Sequence, residues 1–209
     1  MADYSALKKK TNELAERVWD MPAIEARVKK MYAEGIPRKK LEPKNVLTGK
    51  GQILDRVQRR AEEYNYFFHN CAQGTALALM EEFGLGNMEI IKALTLFPGI
   101  AGTGKICGGV TGSLIALGLY FTSIESVDGK VMQEAMATAQ KFVALFEDRL
   151  SSCYCPDIIG TVILGHRLNP GESPAAMSTF AKEKGFEKCC LPPGIGARLA
   201  AELVINRNK

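Results

Sequence analysis

Apolar residues recur along this chain at the spacing of one helix face, and nowhere for long at the every-second-residue spacing of a strand. That periodicity predicts an all-α fold, with proline or glycine at each break. Residues 5–33 read as one or two amphipathic, charged helices with Leu7, Leu14, Val18, Ile24, Val28 and Met31 on the apolar side. Gly35-Ile36-Pro37 stops them, and residues 35–50, rich in lysine, read as a linker. Helices are then expected from about Gln52 to Phe68, from Cys71 to Phe83 with Gly84 at its end, and over Met88–Leu96 ahead of Pro98. Cys107–Phe121 is a small-residue helix and Val131–Leu150 a long amphipathic one; Asp157–Leu164, Ala175–Lys184 and Ile195–Asn206 complete the pattern. The expected architecture is a compact multi-helix domain over residues 51–209, preceded by a charged helical arm and linker over residues 1–50. A chain of 209 residues, 46% hydrophobic, can bury a full core of this kind.

Charge is uneven. Residues 1–64 hold 15 Lys and Arg against 10 Asp and Glu, whereas residues 65–209 hold 12 against 13. The basic residues alternate with acidic ones, as on a solvated helical face or a surface that docks an acidic partner. They form no patch, so no nucleic-acid binding is expected. The start, Met-Ala-Asp-Tyr-Ser-Ala-Leu-Lys-Lys-Lys, lacks the apolar region of a secretory signal. The longest apolar stretch, roughly Val110–Phe121, is too short for a membrane span, which needs about 20 residues. A cytoplasmic location and reduced thiols are the expectation, and thiols there point to metal ligation or redox chemistry over structural disulfides.

Six cysteines stand in four widely separated places: Cys71, Cys107, Cys153 with Cys155, and Cys189 with Cys190. Soft ligands on four separate elements are what a fold needs to wrap one metal or cluster, whereas catalytic dithiols usually share one turn. Cys71 and Cys107 each open a predicted helix, where the N-terminal dipole favours thiolate. Gly108, Gly109, Thr111 and Gly112 leave room for an inorganic core or for close helix packing. The vicinal Cys189 and Cys190 cannot both easily reach one ion, so one of each pair is the expected ligand. Cys155 is preferred to Cys153 because Cys155-Pro156 opens the next helix. His69, two residues before Cys71, could hydrogen-bond a cluster or be an ordinary half-buried histidine; His166 has no such neighbour.

Other chemistries fare worse. Gly99-Ile-Ala-Gly-Thr-Gly104-Lys105 fits the start of a phosphate-binding loop, but Ile106 stands where Ser or Thr must hold magnesium. A turn whose N–H groups face an anion is the better reading of it. No Cys-x-x-Cys-His occurs, so covalent haem is excluded; no Cys-x-x-Cys occurs either, against a zinc ribbon or thioredoxin-like site. No Gly-x-Ser-x-Gly elbow supports a serine hydrolase. The run Tyr64-Asn-Tyr66-Phe67-Phe68 is expected to pack in the core or shield the site.

Taken in order, Asn70-Cys71-Ala72-Gln73-Gly74, Cys107-Gly108-Gly109-Val110-Thr111-Gly112, Cys155-Pro156-Asp157-Ile158-Ile159-Gly160 and Cys189-Cys190 resemble the redox-active family named after its C-GCAxxG-C-C signature. Asn70 replaces the leading glycine. The resemblance covers roughly residues 55–205. That family is similar to the non-haem part of split-Soret cytochromes c, in which a helical domain carries an iron–sulfur centre within a dimer. The resemblance implies that Cys71, Cys107, Cys155 and Cys189 or Cys190 ligate iron, in a [2Fe-2S] or [4Fe-4S] cluster, with no haem. It implies electron transfer or redox sensing with a partner protein, as a homodimer. Two other functions remain open: thiol–disulfide exchange by Cys153/Cys155 or Cys189/Cys190, and a metal site that only stabilises the fold.

Overall fold

The computed structural model describes residues 3–38, 49–123 and 129–207, all of whose regular elements are helices. Most of the linker expected over residues 35–50 therefore lies outside the described residues. Helix α1 (Tyr4–Glu16) starts where the Asp3 carboxylate accepts the Ala6 N–H, and α2 (Met21–Glu34) where Asp20 accepts that of Ala23. Between them Arg17 turns extended, which takes Val18 out of the helical register. Val18 was expected on the apolar face and is instead 94% exposed. The rest of the stripe behaves as the periodicity predicts: Leu14, Ile24, Val28 and Met31 are buried, and they join the same core as the following helices.

That core is built by α3 (Lys50–Phe68), α4 (Cys71–Phe83), α6 (Gly108–Phe121) and α11 (Leu191–Arg207), which pack on one another, with α7 (Gly129–Leu150) against α6 and α11. Helix α4 is central, and every residue from Ala72 to Phe83 is buried. A helix hidden all round must pair its polar groups. The Gln73 amide donates to the Ile91 carbonyl at 2.8 Å, Thr75 to that of Cys71 at 2.6 Å, and Glu81 accepts the Tyr64 hydroxyl at 2.5 Å. Arg60 and Arg56 of α3 close on Glu81 and Glu82. Leaving either carboxylate unpaired in the core would cost several kcal/mol, on the order of 3–5.

Close approach of α4, α6 and α11 depends on small residues. A Cβ on Gly108 would fall on the Cys71 sulfur and the Ala72 nitrogen, and one on Gly112 on the Ala72 carbonyl. Between close packing and room for an inorganic core, the glycine run of α6 serves the packing.

Smaller elements complete the fold: α5 (Met88–Ala93) with a 3₁₀ turn over Leu94–Leu96, α8 (Cys155–Ile158), α9 (Pro174–Lys182) and α10 (Gly185–Lys188). The helix expected over Asp157–Leu164 starts at Cys155 and opens into a π turn over Ile159–Ile163. Single π turns often mark functional positions. Helix α1 lies against α10 and this π turn, and α2 against α3. Among the described residues, no helix is long and apolar enough to cross a membrane.

Candidate functional site

Cys71 owes its position to a sharp turn between α3 and α4. His69 takes a left-handed conformation (φ 49°), which reverses the chain. Asn70 then caps α4: its side-chain oxygen accepts the Ala72 and Gln73 N–H groups at 3.2 and 3.0 Å, while its amide donates to the Thr95 carbonyl at 3.0 Å. Asn in place of the signature glycine thus ties the helix start to the 3₁₀ turn. Cys71 is the first residue of α4, as expected.

Cys107 precedes α6 and is buried. A two-residue antiparallel bridge between Ile106 and Tyr154 places it beside the third cysteine position. The Cys107 N–H donates to the Cys153 carbonyl at 2.8 Å, and the Cys155 N–H to the Lys105 carbonyl at 2.8 Å. Strand alternation would put Cys153 and Cys155, two apart, on one side, but Cys155 opens α8 and the two side chains part there. Cys153 is buried against Glu147, whereas Cys155 faces the site.

Cys189 and Cys190 follow α10 and separate in the same way. Cys190 is fully buried; its sulfur accepts the Asn65 amide at 3.1 Å and donates to the Phe186 carbonyl at 3.3 Å. Cys189 turns the other way. It lines, with Cys71 and Cys155, a cavity of about 160 Å³. The remaining wall is largely apolar, including Pro98, Ile159, Met177, Phe180 and Phe186, with His69 and Asn65 among its few polar groups. His166 stands elsewhere, on Glu183.

One rim of the cavity is the loop that resembles a phosphate-binding turn. Gly99, Ile100, Ala101 and Gly102 are all left-handed (φ 54°, 51°, 55° and 70°). Their N–H groups do not face an anion: those of Ile100, Ala101 and Gly102 donate to Phe97, Leu96 and Pro98. Asn169 pins the turn by donating to the Gly102 carbonyl at 3.2 Å. For Ile100 this conformation is strained, because a β-branched side chain crowds the following carbonyl.

The sulfurs are electrostatically unequal. Cys71 is held below the ordinary thiol value: the Cys107 thiol donates to it, and the backbone N–H groups of Gly108 and Ala72 outweigh its burial. Cys107, as the donor, is pushed well up. Cys155 is pushed up to about 12 by burial and by the charge of Cys71; Cys189 is raised by burial and by the charges of Cys155 and Cys71. Each of these four is thus shifted in part by at least one of the others. Among the described residues, no three His, Cys, Asp or Glu side chains close around a point as one bare ion would require. The donor set of four thiols suits a soft metal centre of larger size, with N–H groups already aimed at one sulfur.

Asn65, Asn169 and Phe186 were not legible as site residues. Asn65 lies in an aromatic run that reads as core, and nothing around Phe186 marks it. No curated protein and no solved structure matches the chain significantly. Residues 69–191, more than half of its length and all four cysteine positions, do match one family; the chain belongs to the family described as "Putative redox-active protein (C_GCAxxG_C_C)".

Proposed function

We propose that the protein is an electron-transfer or redox-sensing protein whose Cys71, Cys107, Cys155 and Cys189 would hold an iron–sulfur cluster. The observation that carries this reading is the gathering of three of these sulfurs, from three distant segments, on one cavity, with the buried Cys107 thiol next to the first. Bound there, such a cluster would supply one-electron chemistry at a potential set by its ligands, hydrogen bonds and burial. The chain's own part is to favour thiolate at Cys71 through the Gly108 and Ala72 N–H groups, and to limit water with Phe180, Phe186 and Ile159. Six free thiols suit a reducing compartment and a partner protein as electron donor or acceptor.

Anaerobic purification followed by iron and acid-labile sulfide analysis tests this. The expected result is a brown protein with comparable amounts of both. A colourless, folded, iron-free protein overturns it.

The closeness of the Cys71 and Cys107 thiols, each of which shifts the other's titration, supports a second reading, thiol–disulfide exchange. The structure turns apart the sulfurs within Cys153/Cys155 and Cys189/Cys190, so exchange would use Cys71 and Cys107. Loss of two protons and two electrons to a disulfide acceptor would join these sulfurs. Mass spectrometry of the iron-free, oxidised protein would then find that bond.

A further inference from the structure

Five aromatic rings run without interruption from the thiol cavity to a second, charged cleft. Phe180 meets Phe186 edge-on at 5.2 Å between centroids, and Phe186 stacks on His69 at 4.3 Å. His69 meets Tyr66 edge-on at 5.9 Å, and Tyr66 stacks on Trp19 at 4.5 Å with its plane 14° away. Phe180, Phe186 and His69 line the cavity. Trp19 lines a different space, a charged cleft of about 510 Å³ bounded also by Lys10, Glu13, Arg17, Arg59 and Glu62. Arg17 lies over the Trp19 ring at 5.0 Å, while Tyr66 stacks on that ring.

Two features set this row apart from ordinary core packing. Its outer members, Trp19 and Tyr66, are the ring types that most readily give up one electron, and Trp19 is the only tryptophan in the chain. Its middle member, His69, sits in a left-handed conformation that a non-glycine residue seldom adopts, and that posture places its ring between Tyr66 and Phe186.

We propose that Trp19, Tyr66, His69 and Phe186 form a one-electron relay joining the cysteine cavity to the cleft beside Trp19. Its last step rests on the redox reading of the cavity. An oxidising radical that reaches the cleft takes an electron from the Trp19 indole, whose Nε1 proton stays in place because it is buried with no acceptor. Tyr66 returns an electron to the Trp19 radical cation and loses its phenolic proton to water. A cysteine sulfur at the cavity, or the cluster it holds, then reduces the Tyr66 radical through His69 and Phe186, and the phenol is reprotonated. The net change is one electron from the cavity to the oxidant, with no bond made or broken between heavy atoms. The cleft side of α1 and α3 thereby becomes the face at which the N-terminal arm serves the site.

Pulse radiolysis of the whole protein with azide radicals, which oxidise indole selectively, tests the relay. In wild type the tryptophan radical should decay in a first-order step, independent of protein concentration, as tyrosyl absorption rises. Tyr66→Phe keeps the stacked ring and should abolish that step, and Phe186→Leu should lengthen the life of the Tyr66 radical. A tryptophan radical that decays alike in wild type and Tyr66→Phe overturns the relay, as does a Tyr66 radical whose lifetime Phe186→Leu leaves unchanged. Wild-type radical transfer in a protein that never takes up iron would remove the cluster and leave the relay standing.

Discussion

The two halves of the cysteine site are built on opposite principles. Cys71 and Cys107 lie in a seam where α4 and α6 touch backbone to backbone, and a single added carbon at Gly108 or Gly112 has nowhere to go. Cys155 and Cys189 stand on the other side, on short helices and turns beside a left-handed loop and a π turn. In the seam the Cys71 sulfur already has N–H donors that hold it below the ordinary thiol value, although Cys107 beside it is pushed well up. At the mouth the thiols are neutral, and only a bound positive centre would draw off their protons. One half is preorganised and the other is left to close on whatever arrives, which is how a site can be both selective and loadable.

Substitutions can break this contrast. The largest effect is expected for Gly108→Val, which drives a branched side chain into the Cys71 sulfur and the Ala72 nitrogen. Overpacking typically costs about 1–3 kcal/mol, and a contact with backbone belongs at or above the upper end. Thermal melting of the iron-free protein should show it, and an unchanged melt would mean the seam is not tight. Cys107→Ser should come next, at roughly 1–3 kcal/mol for a buried hydroxyl, with loss of iron as well. Its counterparts Cys155→Ser and Cys189→Ser should lose iron yet melt, without metal, within about 1 kcal/mol of wild type. Equal destabilisation by all three would erase the distinction between the halves.

A smaller, opposite effect is expected for Ile100→Gly. The left-handed penalty of about 1–2 kcal/mol disappears, offset by the extra freedom of glycine when unfolded. A net gain near 1 kcal/mol would raise the melting temperature by roughly 2–4 °C in a chain of this size. A fall would show that the turn is not strained.

The smallest effect concerns α1, which buttresses the mouth through α10 and the π turn. Burial pushes Glu13 up, but hydrogen bonds and charges from Arg17 and Lys10 outweigh it and hold the carboxyl below its ordinary value. A lowered carboxylate stabilises above its unfolded pKa, and that contribution is lost as pH falls through the folded one. Hydrogen exchange in α1 should therefore quicken on acidification, less so in high salt, and Glu13→Gln should flatten the dependence. Exchange with the same pH profile in both proteins would exclude Glu13 as the cause.

Much of this was legible beforehand, for identifiable reasons. Helical spacing and its proline and glycine breaks place most elements within a few residues, and Cys71 and Cys107 at helix starts follow from the same breaks. The preference for Cys155 over Cys153 rested on Cys-Pro opening a helix, and that helix start is where Cys155 turns to the cavity and Cys153 does not. The facing of Cys189 and Cys190 was not legible, since they sit at a turn where helical phase is lost. Nor was the burial of the arm. An amphipathic stripe says that something covers it but not what, and here the same chain does. The stacking of Trp19 on Tyr66 joins residues far apart in sequence, and no local pattern encodes it.

The order of the cysteines along the chain also sets a schedule. Synthesis runs from the N-terminus, and the segment carrying Cys189 and helix α11 emerges after the other three cysteine positions are already made. Helix α11 packs against α3, α4 and α6, the helices that flank Cys71 and Cys107. Until that segment is in place, the cavity lacks Cys189, and until α11 docks, Gly109 of the seam lacks the Pro192 and Gly196 backbone that closes on it. A nascent chain thus carries reactive sulfur without the means to shelter it, and any inorganic core must be delivered after translation has passed α11.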